Sequence, residues 1–180
     1  MAYSAEKMQH VILFFLERIN NVDLGRTKLM KLLYYVDFDH YERHEKSVTG
    51  ATYRKLPHGP VPQEAKKLIE DMAQRHLVQQ VKAKRAQYAQ HRLITQAKFD
   101  PSLFSGEEIQ TLERVAKEWE CATGAQIEAA SHAEVPWGAT TDGKIIDYEL
   151  AHYRHPVGSE RLDDALAKST KLAKYVAALR

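Results

Sequence analysis

The sequence predicts a mainly α-helical α+β domain, with a small β-hairpin packed on a helical core. Three observations carry that expectation. Apolar residues recur at spacings of three and four near the start of the chain. Residues 77–96 switch to a pattern rich in Val, Gln, Tyr, Ile and Thr, which suits two strands. Two capping boxes then mark further helices. With 180 residues, 44% of them hydrophobic and 28% charged, the chain can bury a real core. The expected organisation is a single domain over 1–180, with residues 141–180 as a C-terminal extension ending in an amphipathic helix.

Met8, Val11, Ile12, Phe15, Leu16 and Ile19 set out a first helix over about 5–20. Asn20 to Gly25 breaks it. A second helix runs from Thr27 to about Glu45 and has two apolar stripes where a surface helix has one. Leu29, Leu32, Leu33 and Val36 form one stripe, and Met30, Tyr34, Phe38 and Tyr41 the other, with Tyr35 between. Such a helix belongs at the centre. Ala51 to Leu56 reads as extended and His58-Gly59-Pro60-Val61-Pro62 as a turn, with Pro62 in the first turn of a third helix through Ala65, Leu68, Ile69 and Met72. Leu77 to Lys84 and Tyr88 to Gln96 form the hairpin. Ser105-Gly106-Glu107-Glu108 and Thr123-Gly124-Ala125-Gln126 are the capping boxes. Ser131 to Trp137 ends the helix behind the second box and lays Trp137 down as a core plug. Ile145 to Tyr153 reads as strand or helix, and a last helix starts near Ser159, with Leu162, Leu166, Leu172 and Val176 inward.

The composition points away from several classes. The net charge of +2 does not announce nucleic-acid binding. The single cysteine, Cys121, suits a reducing cytoplasm and reads as a small buried residue. The start lacks a signal-peptide pattern, and the run Val11 to Leu16 is too short to span a bilayer. No G-x-S-x-G elbow, phosphate loop, G-x-G-x-x-G or Cys-x-x-Cys is present. His40 and His44, four apart on a helix, could face one metal, which would make a small metal-dependent hydrolase. No third ligand is obvious nearby in the sequence. His152 and His155 supply only two ligands and read as a polar helix end. Lys82, Lys84, Arg85, His91 and Arg92 make the hairpin basic, so a winged-helix DNA-binding regulator using residues 77–96 is an alternative. Against it, Glu64, Glu70 and Asp71 lie on the preceding helix, where they would repel phosphate. The tyrosine-rich stripe has the make-up of a protein-binding patch.

Three stretches, in order, resemble the Panacea domain family, also called the SocA-like or GepA-like phage-associated family. Lys28, Leu29, Lys31, Leu32, Leu33, Tyr34 and Tyr35 match its K-L-x-K-L-L-Y-Y/F signature. Tyr53 followed by His58, Gly59, Pro60 and Val61 resembles its aromatic and G-P-V element. Ser131, His132, Glu134, Pro136 and Trp137 match S-H-x-E-x-P-W. The resemblance implies a cytoplasmic antitoxin of a bacterial or phage toxin–antitoxin system. Its partner would be a cognate protein toxin, encoded by a neighbouring gene and neutralised by direct contact. One branch of the family hands its toxin to an ATP-dependent protease. On this reading there is no catalytic residue, metal or cofactor. Tyr34, Phe38, Tyr41, Tyr53 and His58 are the expected partner-binding residues, and Tyr41→Ala should leave folding nearly intact. His132, Pro136 and Trp137 are expected to support the scaffold. Neither a membrane nor nucleic acid is the expected partner, and the sequence does not fix the oligomeric state.

Overall fold

The structure is a computed structural model that describes residues 2–19, 24–84 and 89–154. Helix α1, Ala5–Arg18, starts at Ser4, whose side chain accepts from the Lys7 amide. Helix α2, Arg26–His44, starts after Gly25 and stops at Glu45, which adopts a left-handed conformation at φ 55°. α1, the hairpin that follows α2, and later helices all pack around α2.

That arrangement explains the two stripes. Leu29, Leu32, Leu33 and Val36 are buried, and so are Met30, Tyr34, Phe38 and Tyr41. Both stripes are core because α2 has neighbours on every side. Even Lys28, Lys31 and Asp37 have no exposed surface.

Strands β1, Tyr53–Leu56, and β2, Gly59–Pro62, form an antiparallel hairpin with Tyr53 opposite Pro62 and Lys55 opposite Pro60. The expected turn at 58–62 is therefore mostly strand, and helix α3, Ala65–Gln74, begins after Pro62. The physical reason is the spacing of the prolines. The Gln63 amide donates to Thr52 O at 2.9 Å, so odd-numbered residues turn their amides toward β1. Pro60 and Pro62 are even-numbered and cost the ladder no donor. The other edge of β1 is covered too: Lys55 N donates to Lys144 O at 3.0 Å and Ile146 N to Tyr53 O at 2.8 Å. Ile145 bridges to Arg54, and Tyr148–Tyr153 winds into a 3-10 helix.

Strands β3, Val78–Lys84, and β4, Ala89–Thr95, make the second two-stranded sheet, much as the composition predicts. Val78 and Leu93 are buried where this hairpin meets α1 and α3. Helices α4, Gly106–Trp119, and α5, Gly124–Ala133, both begin with reciprocal capping boxes, at Ser105 with Glu108 and at Thr123 with Gln126. After α5 the chain restarts as a short helix α6, Val135–Ala139, with Pro136 in its first turn. The fold is thus mainly helical α+β with two small antiparallel sheets. Cys121, expected inside, is exposed just beyond α4. The expected final helix, His155 and the turn at Arg85 to Tyr88 lie outside the described residues. Among the described residues no helix is long and apolar enough to cross a membrane.

The burial of Tyr41 reverses the expectation for its removal. It is 8% exposed, its hydroxyl donates to Glu149 Oε1 at 2.5 Å, and its ring packs on Tyr148. Tyr41→Ala should cost about 3 kcal/mol, read from the urea midpoint.

Candidate functional site

The three signature stretches meet one another around α2. Lys31 Nζ donates to Pro60 O at 3.1 Å, in the interior. Gly59 lies against it with φ 95°, and a Cβ there would come within 2.5 Å of Lys31 Cε and 2.8 Å of Ser131 Oγ. Only glycine meets both demands without strain. Ser131 Oγ donates back to Glu128 O at 2.8 Å. Lys31, Gly59-Pro60 and Ser131 thus form one knot, with one residue set from each stretch.

A second knot joins the helix to Glu134. Tyr34 OH donates to Glu134 Oε2 at 2.7 Å. Arg154 grips the same carboxylate with two nitrogens, at 3.1 and 3.0 Å, and also pairs with Asp39. Its guanidinium lies 5.5 Å from the Tyr34 ring centre and 5.1 Å from that of Tyr35. Arg154 is 2% exposed and Glu134 7%, so neither charge is solvated in compensation. Burial raises the Tyr34 hydroxyl pKa well above its ordinary value, as does the Glu134 charge, so Tyr34 remains the donor. Arg154 was not legible as a functional partner, because Glu134 and Asp39 are distant from it in sequence.

Asp37 anchors the third contact. Its carboxyl accepts from Thr49 N at 2.7 Å, Thr49 Oγ1 at 2.5 Å and Tyr53 OH at 2.8 Å. Burial pushes its pKa up to about 6, against the lowering by those donors. Phe38 packs between Tyr34, at 4.4 Å, and Tyr148, at 4.6 Å.

These positions correct part of the partner-binding expectation. Tyr34, Phe38 and Tyr53 are each 0% exposed, and Tyr41 is nearly so. The hydroxyls of Tyr34, Tyr41 and Tyr53 each donate to an internal carboxylate, which is why tyrosine suits a buried stripe there. These rings present no open surface to a partner. His58 does: it sits at the hairpin turn with its side chain 80% exposed, Nδ1 3.1 Å from Glu128 Oε1. Lys28 points to the end of α4, donating to Glu120 O and Ala122 O at 3.1 and 2.6 Å, where carbonyls lack helix partners. Leu29, Leu32, Leu33, Tyr35 and Pro136 are buried, and Val61 is half-buried.

Trp137 is a half-buried side chain and not a core plug. Its ring stacks on His132, with centres 4.0 Å apart, and lies 4.1 Å from Lys55 Nζ. Its Nε1 donates to Leu56 O at 3.4 Å. The neighbouring short helix α6 leaves this ring on the flank, near the exposed Leu56. Among the described residues, His132 Nε2 and the hydroxyl of Tyr35 are buried without a partner.

His40 and His44 stack at 4.4 Å. His40 Nδ1 lies 3.0 Å from Thr111 Oγ1, and His44 lies 3.7 Å from Glu107. Among the described residues there is no group of three His, Cys, Asp or Glu that could hold a metal ion. A cavity of about 730 Å³ opens between the starts of α2 and α5, lined by Lys31, His58 and His91 among others. His91 and Gln90 bring the second hairpin to its rim.

Three outcomes test these knots. Arg154→Ala leaves Glu134 buried without its cation, while Asp39 keeps Arg114, and should cost about 3–5 kcal/mol in urea unfolding. Gly59→Ala combines a forced positive φ with the clash at Lys31 and should cost at least about 2 kcal/mol. The third concerns pH. Asp37 holds its proton more tightly folded than unfolded, so the stability it contributes is full below pH 4 and is lost as pH rises through about 6. Measured against Asp37→Asn, the wild-type advantage should shrink between pH 4 and 6 and level off above 7.

A family model described as antitoxin SocA-like, Panacea domain, matches residues 29–138. That span contains most of the first signature stretch and all of the other two. No curated protein and no solved structure matches the chain. The match covers more than half of the chain and the same stretches that lock together in the fold, and the chain therefore belongs to the SocA-like antitoxin family with its Panacea domain.

Proposed function

We propose that this protein is an antitoxin that neutralises a cognate protein toxin by direct binding in the cytoplasm. The observation that carries the reading is the family match over residues 29–138. We read residues 1–180 as one domain and the toxin as the product of a neighbouring gene. Family membership supports an antitoxin-like role, and the interlocked signature supplies a rigid scaffold for it. Rigid surfaces lose little entropy on binding, which favours an inhibitor that works by docking.

The partner-facing residues belong on the β1–β2 turn. His58 and Leu56 are exposed there, and Trp137 flanks them with a stacked, half-buried ring. A half-buried aromatic beside an exposed apolar residue is the usual make-up of a binding hot spot. Tyr34, Phe38 and Tyr148 pack against Tyr53 at the start of β1 and hold this hairpin from behind.

Co-expression tests the reading. When the neighbouring gene is induced, growth should stop, and this chain should restore it. Leu56→Glu should weaken that rescue by tenfold or more in the antitoxin dose required, with its thermal midpoint unchanged. Toxin level by immunoblot separates two routes. Steady toxin with restored growth indicates blocking, and falling toxin indicates delivery to an ATP-dependent protease. An induced neighbour that leaves growth untouched, or a toxin this chain does not counter, would sink the proposal.

A further inference from the structure

The outward face of the first hairpin carries more than its turn. Arg54 lies opposite Val61 across the hairpin, and Ile145 bridges to Arg54 from the other side. Residues opposite one another in antiparallel strands point to the same side of a sheet, and so do residues two apart. Arg54, Leu56, Val61 and Ile145 therefore share one face. Tyr53, Pro60, Pro62 and Ile146 share the other and are buried. Leu56 is 38% exposed and Ile145 51%. They are two of the four large hydrophobic side chains exposed among the described residues, and both flank the same arginine.

Arg54 is held ready on that face. Its Nε donates to Gln63 Oε1 at 2.8 Å and its Nη1 to Gly143 O at 2.7 Å. Both acceptors are neutral, and among the described residues Arg54 pairs with no carboxylate. A guanidinium has five N–H donors, so donors remain for a partner. The two bonds fix the side chain in advance, which lowers the entropy lost when a partner takes the rest. Lys55, on the inner face, already has its counter-ion in Asp142 at 3.2 Å. Apolar side chains around an arginine without a counter-ion have the composition of an interface centre. The charge selects a carboxylate and rejects a second cation. A nucleic-acid backbone fits poorly, because this face offers one cation among three aliphatic side chains.

We propose that Arg54, Leu56, Val61 and Ile145 form the surface that receives the toxin, and that the toxin presents to it a carboxylate set among apolar side chains. The proposal rests on the antitoxin reading and deepens it. It extends the contact from the turn along the sheet, and it states the chemistry of what the sheet meets.

The test measures binding of the neighbouring gene's product to the full-length protein by calorimetry, with a thermal melt of each variant to show that it is folded. Ile145→Ser should weaken binding by about tenfold or more. Ile94→Ser, exposed on the second hairpin, should leave it unchanged. Arg54→Ala should weaken it by about tenfold and Arg54→Glu by about a hundredfold, because the new carboxylate repels the toxin's own. Equal losses in the two Arg54 variants would overturn the carboxylate. Undiminished binding in Ile145→Ser and Arg54→Glu would overturn the face. In both cases the antitoxin reading survives, because the wild-type protein still binds. A wild-type protein that does not bind the product takes that reading and this inference down together.

Discussion

A polar group carried into a protein interior has to find its partners there, because water no longer reaches it. α2 carries several. Lys31, Tyr34 and Asp37 follow one another at three-residue intervals on a helix with no solvent-facing side, and each dictates where another part of the chain must lie. Asp37 requires Thr49 and Tyr53, which fixes the entry to the first hairpin. Lys31 requires the Pro60 carbonyl, which fixes the return strand. Tyr34 requires Glu134, and Glu134 requires Arg154, which brings the last described residues onto the same helix. Apolar burial supplies most of the stability of such a core, but it is indifferent to register. The buried polar contacts select one arrangement among many that would bury similar area.

This view changes what the family signature reports. Most of its residues touch each other and not the outside. The glycine is dictated by a lysine from another stretch, and the glutamate by a tyrosine. The signature therefore specifies a scaffold. Its exposed members, His58 and the half-buried Trp137, lie at the β1–β2 turn beside the exposed Leu56.

Much of the fold was legible where the signal was local. The capping boxes at Ser105 and Thr123 marked two helices because a cap is a contact between residues three apart. The hairpin at 78–95 showed in composition. The first hairpin was hidden by its own prolines, whose harmless alternation becomes visible only once the pairing register is known. The site was less legible. Period alone assigns Tyr34, Phe38 and Tyr41 to a second stripe but cannot say whether solvent or protein lies beyond it. Trp137 looked like core because tryptophan usually is; the position of α6 leaves it on the flank. Arg154 escaped notice because its partners Asp39 and Glu134 are distant in sequence, and nothing local to Tyr153 announces them.

That remoteness has a bearing on synthesis. Tyr34 waits for a residue 100 positions later, and Asp39 for one 115 later. A nascent chain emerging from the ribosome therefore presents α2 with part of its surface uncovered until Glu134 and Arg154 have been made. Chains in that condition are the natural clients of chaperones and the natural prey of proteases. For a protein whose abundance would set the balance against a toxin, the interval between making the central helix and closing over it is a point at which the cell can decide how much of the protein survives.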